Sequence, residues 1–543
     1  MLSSLISGSG APELTSFFSF DYIVIFLPIC LLIYILTPQK ARRYMLLALS
    51  FGFYWLVSGK LIIYLLLSIF SAHYFGLWLD RIISKRTEAL KEAEKEQRKE
   101  IKKAYQRRSR GVLALAAALH LGTLLVLKYS AFAAANVNSL LGLFGLDFRF
   151  NVPKYLLPLG ISFFTLQAVS YLVDVYREKV KADDCLPRLA LWLAFFPQIT
   201  EGPICRYSQT AEQLWSVGRI DFSNLTLGLE RLLYGMMKKI VVADRLNPLI
   251  KEVFDNYNMY DGGVIALAAV CYTIQLYMDF SGAMDAVTGI AQMLGVTMPE
   301  NFRRPFFSKT ISEFWKRWHI TLGEWLKDYL FYPVTMSKPM QHLTKAARKR
   351  LGNQYGPLLA GSVALLCVWL VNGLWHGAAW NYILFGLYHF VVIMVGRFFA
   401  PLIKRSNERL KISPDSAPYR VGQIIRSDIL IVIGELIFRA NGATAGFVML
   451  KKVVTDFTFS AYGKELFTAL GVDIGDFVAV GITVAVVFII SLLSEKGVNI
   501  RSALREKHPA LHYAAILALI IYIVILGAYG PGYTPVDPIY ADF

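Results

Sequence analysis

Histidine is a costly residue to place in an apolar segment, and His376 lies in one: LLCVWLVNGLWHGAAW, residues 365–380. A full charge at the centre of a bilayer costs roughly 2.5–3.5 kcal/mol on insertion scales, and a neutral imidazole less, so the placement needs a reason. One reason is packing, through a hydrogen bond to a neighbouring helix. The other is proton transfer, because imidazole has an ordinary pKa of about 6.5 and exchanges protons near neutrality. Gly373 and Gly377 bracket Leu374, Trp375 and His376 and admit another backbone or a thin substrate close to the ring.

A second histidine, His319, lies in EFWKRWHITLGEWLKDYLFYP, residues 313–333. There Trp315, Trp318, Leu322, Trp325 and Tyr329 recur at helical spacing, which predicts one aromatic amphipathic helix at a membrane interface. On such a helix His319 lines up with Trp315 and Gly323, so its ring faces the gap that the glycine leaves. Anchoring alone accounts for the tryptophans and not for this histidine. Asn372, one turn before His376, either donates to a reacting oxygen or hydrogen-bonds across helices. Asp279 and Asp285 flank Ser281-Gly282 after an apolar run, a pattern that predicts a capped helix end with a buried ion pair.

Other chemistries fit the spacing poorly. Among His319, His376 and His389 no two stand three or four residues apart, and the stretch around His376 has no carboxylate at ligand spacing, so no metal is expected. There is no GxSxG, and Cys30, Cys271 and Cys367 sit in apolar segments without a cation to make a thiolate. No Walker-type or GxGxxG loop is present.

The elements that must hold these residues are membrane helices. Of 543 residues, 55% are hydrophobic and only 17% charged, and apolar runs recur from Tyr22–Leu36 to Tyr513–Tyr529. The expected fold is all-α: a polytopic bundle of roughly 11–13 transmembrane or re-entrant helices around a central cavity. The chain reads as a single integral-membrane unit: N-terminal spans over 1–150, a core over 151–395, C-terminal spans over 396–529 and a tail over 530–543. The net charge of +17 sits in short loops, as the positive-inside rule requires, so it does not imply nucleic acid. Asp80–Arg110 carries twelve Lys/Arg against six Asp/Glu and is expected to be a charged cytoplasmic helix, with a lesser chance of binding anionic lipid or an acidic carrier. With Gln39–Tyr44, Met336–Arg350 and Glu495–Pro509 also basic, both termini are expected on the outside of the cell membrane.

Five stretches resemble the membrane-bound O-acyltransferase family, in the bacterial branch that includes alginate O-acetyltransferase and the teichoic-acid D-alanyl transferase. They are LPLGISFFTLQAVSYLVDVYR (157–177), FFPQITEGPICRY (195–207), IQLYMDFSGAMDAVTGIAQMLGVTMPENFRRPF (274–306), residues 313–333 and NGLWHGAAWNYILFGLYH (372–389). They cover about 150 to 395, and ELIFRA (435–440) adds a weaker match.

The resemblance implies an enzyme that carries an acyl group, most simply acetyl from acetyl-CoA, to an exported cell-envelope polysaccharide. It implies His376 as the catalytic base and His319 as the second polar participant. A donor for the oxyanion is also needed, and His319, Asn372 or backbone amides can supply it. Arg303, Arg304, Lys309, Lys316 and Arg317 are candidates to steer the donor's phosphates. No bound cofactor is implied. The implied partners are an extracytoplasmic acyltransferase of SGNH-hydrolase type, the polysaccharide acceptor and membrane lipid. The tail GPGYTPVDPIYADF resembles family ends in which a tyrosine receives the acyl group, which makes Tyr540 an acyl-relay candidate, although Pro538 and Ala541 depart from the aromatic pattern. Two alternatives stay open: transfer of D-alanyl or another acyl group from a carrier protein to teichoic acid or peptidoglycan, and a proton-coupled transporter whose histidines line a path.

Overall fold

The computed structural model describes residue 14 and residues 16–216, 221–458 and 463–529, so Tyr540 lies outside the described residues. These residues are mostly helical, and their one β-type contact is an isolated antiparallel bridge between Phe302 and Trp318. Among the described residues six helices are long and apolar enough to cross a membrane, and the chain is a multi-pass membrane protein. It forms two compact units. One holds the described residues up to Leu229 with Val287–Pro299; the other holds Glu230–Ala286 and the described residues from Glu300 onward.

In the first unit, α1 (Ile62–Glu92) and α2 (Arg98–Leu143) pack against each other. The charged run expected as one helix is therefore two helix ends joined by a turn over residues 93–97, where Ala93 turns extended. The local charge pattern supports helix on both sides, but the apolar halves must both enter lipid, so the polar stretch has to reverse direction. Helix α3 (Ile161–Tyr176) starts after Gly160, which has φ 73°. A side chain there would stand 2.0 Å from the Ile199 carbonyl oxygen, so glycine is required where the 157–177 and 195–207 stretches meet. Nearly every residue of α3 is buried, which makes it a core helix rather than a lipid-facing one.

In the second unit, α4 (Gly262–Met293) begins and runs past Ser281-Gly282 without interruption. The helix end predicted at Asp279–Asp285 is absent; both aspartates lie mid-helix. The ion pairing is present. Lys239 Nζ stands 2.8 Å from Asp279 and 3.1 Å from Asp244, and Asp285 pairs with Lys238 and with Arg231 at 3.0 Å. Four charged side chains of this network are at most 7% exposed, so the pairing is a condition of folding: an unpartnered charge there is prohibitive.

The carriers of the candidate residues follow. They are α5 (Ile311–Arg317), α6 (Ile320–Leu326), α7 (Lys338–His376), α8 (Trp380–Arg409), α9 (Ala417–Arg439) and α10 (Ile474–Glu495). Helix α7 kinks at Gly352, with Pro357 next in its interior, and ends at His376, where Gly377 breaks it. The chain turns at once into α8, and the two helices pack closely along their length.

Candidate active site

The aromatic helix predicted over residues 313–333 is broken at its centre. Helix α5 stops at Arg317, Trp318 is extended and His319 takes a left-handed backbone, φ 47° and ψ 52°, before α6 begins. Such a conformation costs a non-glycine residue on the order of 1–3 kcal/mol, so something must impose it. The segment from Asn301 imposes it. Arg303 N–H donates to Arg317 O at 2.9 Å and Ile320 N–H donates to Asn301 O at 3.0 Å, on either side of His319. The tryptophans keep a helical rhythm across the break because only two residues leave the helix.

The break re-aims the histidine. Its ring does not face a gap at Gly323. It packs edge-on against Phe280 of α4, centroids 4.8 Å apart, and against Trp375 of α7 at 5.4 Å. His319 is 3% exposed, and burial pushes its imidazole well below the usual range, which keeps it neutral. Its Nδ1 stands 3.3 Å from Asn301 Oδ1.

His376 is the last residue of α7 and is buried among rings: Trp375 at 4.9 Å, Phe438 of α9 at 5.1 Å and Phe385 of α8 at 6.2 Å between centroids. Trp375 thus touches both imidazoles, whose centroids are no more than about 10 Å apart by these two contacts. Asn372, one turn earlier, is buried and its Oδ1 has no hydrogen-bond partner among the described residues. An acceptor left so can take a hydrogen bond from a ligand N–H or O–H.

Of the two glycines around His376, Gly373 serves the approach of another backbone, and Gly377 makes room for the ring of Tyr382. A side chain at Gly373 would lie 2.3 Å from the Tyr382 carbonyl oxygen, so the residue exists to let α7 and α8 touch. His389 has a structural part: Trp315 Nε1 donates to its Nδ1 at 3.4 Å. Among the described residues no group of three or more His, Cys, Asp or Glu is placed to hold a metal ion.

The five cations do not act as one cluster. Arg304 and Arg317 both pair with Glu495 at the end of α10, at 2.7 and 3.1 Å, and Arg317 also with Glu313 at 2.7 Å. Their charge is largely spent internally. Arg303 and Lys316 are exposed, and Lys309 is half-buried. A cavity of about 1200 Å³ opens beside Thr310, Ile311 and Ser312 at the start of α5, against Val391, Val395 and Phe399 of α8, with Lys404, Lys411 and Arg426 also in its wall. Its lining includes none of His319, Asn372 and His376.

Sequence reasoning missed Asn301, Trp375 and the pairing of residues 301–303 with 317–320. Trp375 stood inside a quoted stretch but carried no polar signal, and Asn301, inside the 274–306 stretch, read as an ordinary loop residue.

The chain is similar in sequence to known proteins. The membrane-bound O-acyltransferase family matches over residues 159–346, a range that includes His319. A probable alginate O-acetylase of Azotobacter vinelandii is 30% identical over 456 residues, 83% of this chain and 80% of that protein. A peptidoglycan O-acetyltransferase of Helicobacter pylori is 31% identical over 299 residues, 50% of this chain and 53% of its own length. A teichoic acid D-alanyltransferase of Bacillus subtilis is 27% identical over 286 residues, 52% and 68% of the two chains.

Proposed function

The chain belongs to the membrane-bound O-acyltransferase family, as a membrane O-acyltransferase of alginate O-acetylase type, and we propose that it moves acetyl from acetyl-CoA toward an exported cell-envelope polysaccharide. The observation that carries the proposal is the pair of buried imidazoles that both contact Trp375.

The chemistry follows from what such a pair does. The acceptor hydroxyl oxygen attacks the thioester carbonyl while His376 takes its proton. The tetrahedral intermediate collapses with loss of the thiolate, which recovers the proton from His376 and leaves as a thiol. General-base assistance of this kind is typically worth 10²–10⁴-fold. The intermediate's oxyanion needs donors aimed at it, and the Nδ2–H of Asn372, rather than its orphan Oδ1, or backbone N–H groups supply them. Aromatic walls at Phe385 and Phe438 keep water away from the intermediate. The donor arrives from the cytoplasm, where Arg303, Lys309 and Lys316 attract its phosphates. The acyl group leaves by the external face, to Tyr540 and then to an extracytoplasmic partner of SGNH-hydrolase type, with both termini outside.

A D-alanyl group delivered by a carrier protein is the second reading, favoured by the likeness to the Bacillus subtilis D-alanyltransferase. Purified protein incubated with acetyl-labelled CoA tests the first. Label transfer to a hydroxyl acceptor, lost in His376→Ala with folding intact, supports it. Transfer unchanged in His376→Ala removes the base assignment, and no acetyl transfer from CoA returns the donor to the carrier-protein reading.

A further inference from the structure

We infer that Asn301 is a positioning residue for acyl transfer: its side-chain oxygen fixes His319 as the Nδ1–H tautomer and leaves the lone pair on Nε2. The inference rests on the reading of His319 and His376 as the reacting pair.

The orientation of the Asn301 amide is not arbitrary. Thr321 backbone N–H can only donate, and it stands 3.0 Å from Asn301 Oδ1; the Thr321 hydroxyl donates to the same oxygen at 3.0 Å. The Nδ2 end meets Met284 Sδ at 3.2 Å, a weak acceptor that suits an N–H. The atom 3.3 Å from His319 Nδ1 is therefore an acceptor, and the ring nitrogen facing it must carry the hydrogen. The opposite tautomer would set two lone pairs against each other in a site where both residues are at most 3% exposed. The ring cannot evade the choice easily, because Phe280 and Trp375 pack on it and Asn301 O pins the next residue, Ile320. One asparagine thus holds the left-handed turn and selects the tautomer.

The consequence reverses the part expected of His319 from sequence. A neutral ring with its hydrogen on Nδ1 offers only a lone pair at Nε2, so it accepts a hydrogen bond or a proton and does not donate to an oxyanion. His319 joins His376 on the proton-accepting side of the reaction, and the donor role falls to Asn372 and backbone N–H groups.

Solid-state NMR of the full chain in lipid bilayers, with ¹⁵N,¹³C-histidine, reads the tautomer directly; the His319 signal is identified by its loss in His319→Gln. The wild type should show Nδ1–H. Asn301→Asp keeps an acceptor and should keep Nδ1–H, with transfer within about tenfold and the acid limb of its pH–rate profile moved to higher pH, because a carboxylate favours imidazolium. Asn301→Leu removes the acceptor and should shift the ring toward Nε2–H while kcat falls on the order of 100-fold with little change in KM for the donor. Nε2–H in the wild type, or Nδ1–H persisting in Asn301→Leu, overturns the inference. Should Asn301→Leu not fold, the wild-type tautomer and the Asn301→Asp pH profile decide. The tautomer is measured without turnover, so Nδ1–H in the wild type together with an active His376→Ala would sink the proposed function and spare the assignment of Asn301.

Discussion

A side chain added at Gly373 would stand 2.3 Å from the carbonyl oxygen of Tyr382, a backbone contact that constrains where His376 is held. Backbone of one helix meets backbone of the next three residues before the catalytic candidate. Gly373→Ala should push α7 from α8, costing about 1–3 kcal/mol as an overpacked contact. The expected readout is a lowered melting temperature in detergent together with a loss of transfer. Gly361→Ala, on the same helix with nothing within 4 Å of the new atom, should change neither. Equal behaviour of the two variants would show that the α7–α8 contact does not govern the site.

The buried network on α4 predicts a different pattern. Lys239 is held between Asp279 and Asp244, and Asp279 precedes Phe280, which packs on His319. Asp279→Asn leaves Lys239 short of a charge and should cost about 3–5 kcal/mol, seen as poor yield of folded protein. The pair Lys239→Met with Asp279→Leu removes both charges and should recover part of that loss, though Asp244 then lacks its lysine. A double variant no better folded than the single one would mean that the helix needs the ions for more than mutual compensation.

Donor steering now separates residues that sequence had grouped. Arg303 is exposed, whereas Arg304 is tied to Glu495 at 2.7 Å. Arg303→Glu should raise KM for acetyl-CoA several-fold with kcat little changed, and rising salt should weaken wild-type binding in the same direction. Arg304→Glu should instead lower stability, because it sets two carboxylates together beside Arg317. A KM effect confined to Arg304→Glu would place the donor at that ion pair.

What could be read from the sequence, and what could not, follows from the range of the signals involved. Membrane helices were legible because hydropathy is local and the bilayer imposes length; the apolar parts of the helices bearing Asn372, His376 and His389 coincide with apolar runs, although α7 also takes in the basic stretch from Lys338 that was expected as a loop. His376 and His319 were legible as residues out of place. The break at Trp318–His319 was not, because the aromatic spacing continues through it and the cause is a segment pairing from residues 301–303. Asp279 and Asp285 were misplaced at a helix end because their partners Lys238 and Lys239 lie some forty residues away, inside a run that reads as merely apolar. Asn301 had no local signature at all; only its three-dimensional neighbours make it a clamp.

Tyr540 lies outside the described residues, and its expected role rests on reach and chemistry. From Tyr529 to Tyr540 the chain contains Pro531, Pro535 and Pro538, which favour polyproline II. Eleven residues in that form extend about 34 Å, at about 3.1 Å each. The half-thickness of the hydrocarbon core is only about 15 Å. An external tail can therefore fold back and bring its phenol to His376. Phenol, with a pKa near 10, is a better leaving group than a sugar hydroxyl, so an acyl-tyrosine stays reactive toward the next acceptor. Tyr540→Phe should keep folding and donor binding but stop acylation of the polymer, and removal of Phe543 should do much the same by misplacing the tyrosine. Peptide mass spectrometry after incubation with labelled donor should find the acyl group on Tyr540 in the wild type alone. Full polymer acylation by Tyr540→Phe would mean that acyl passes from the membrane site to the external acceptor without a stop on the tail.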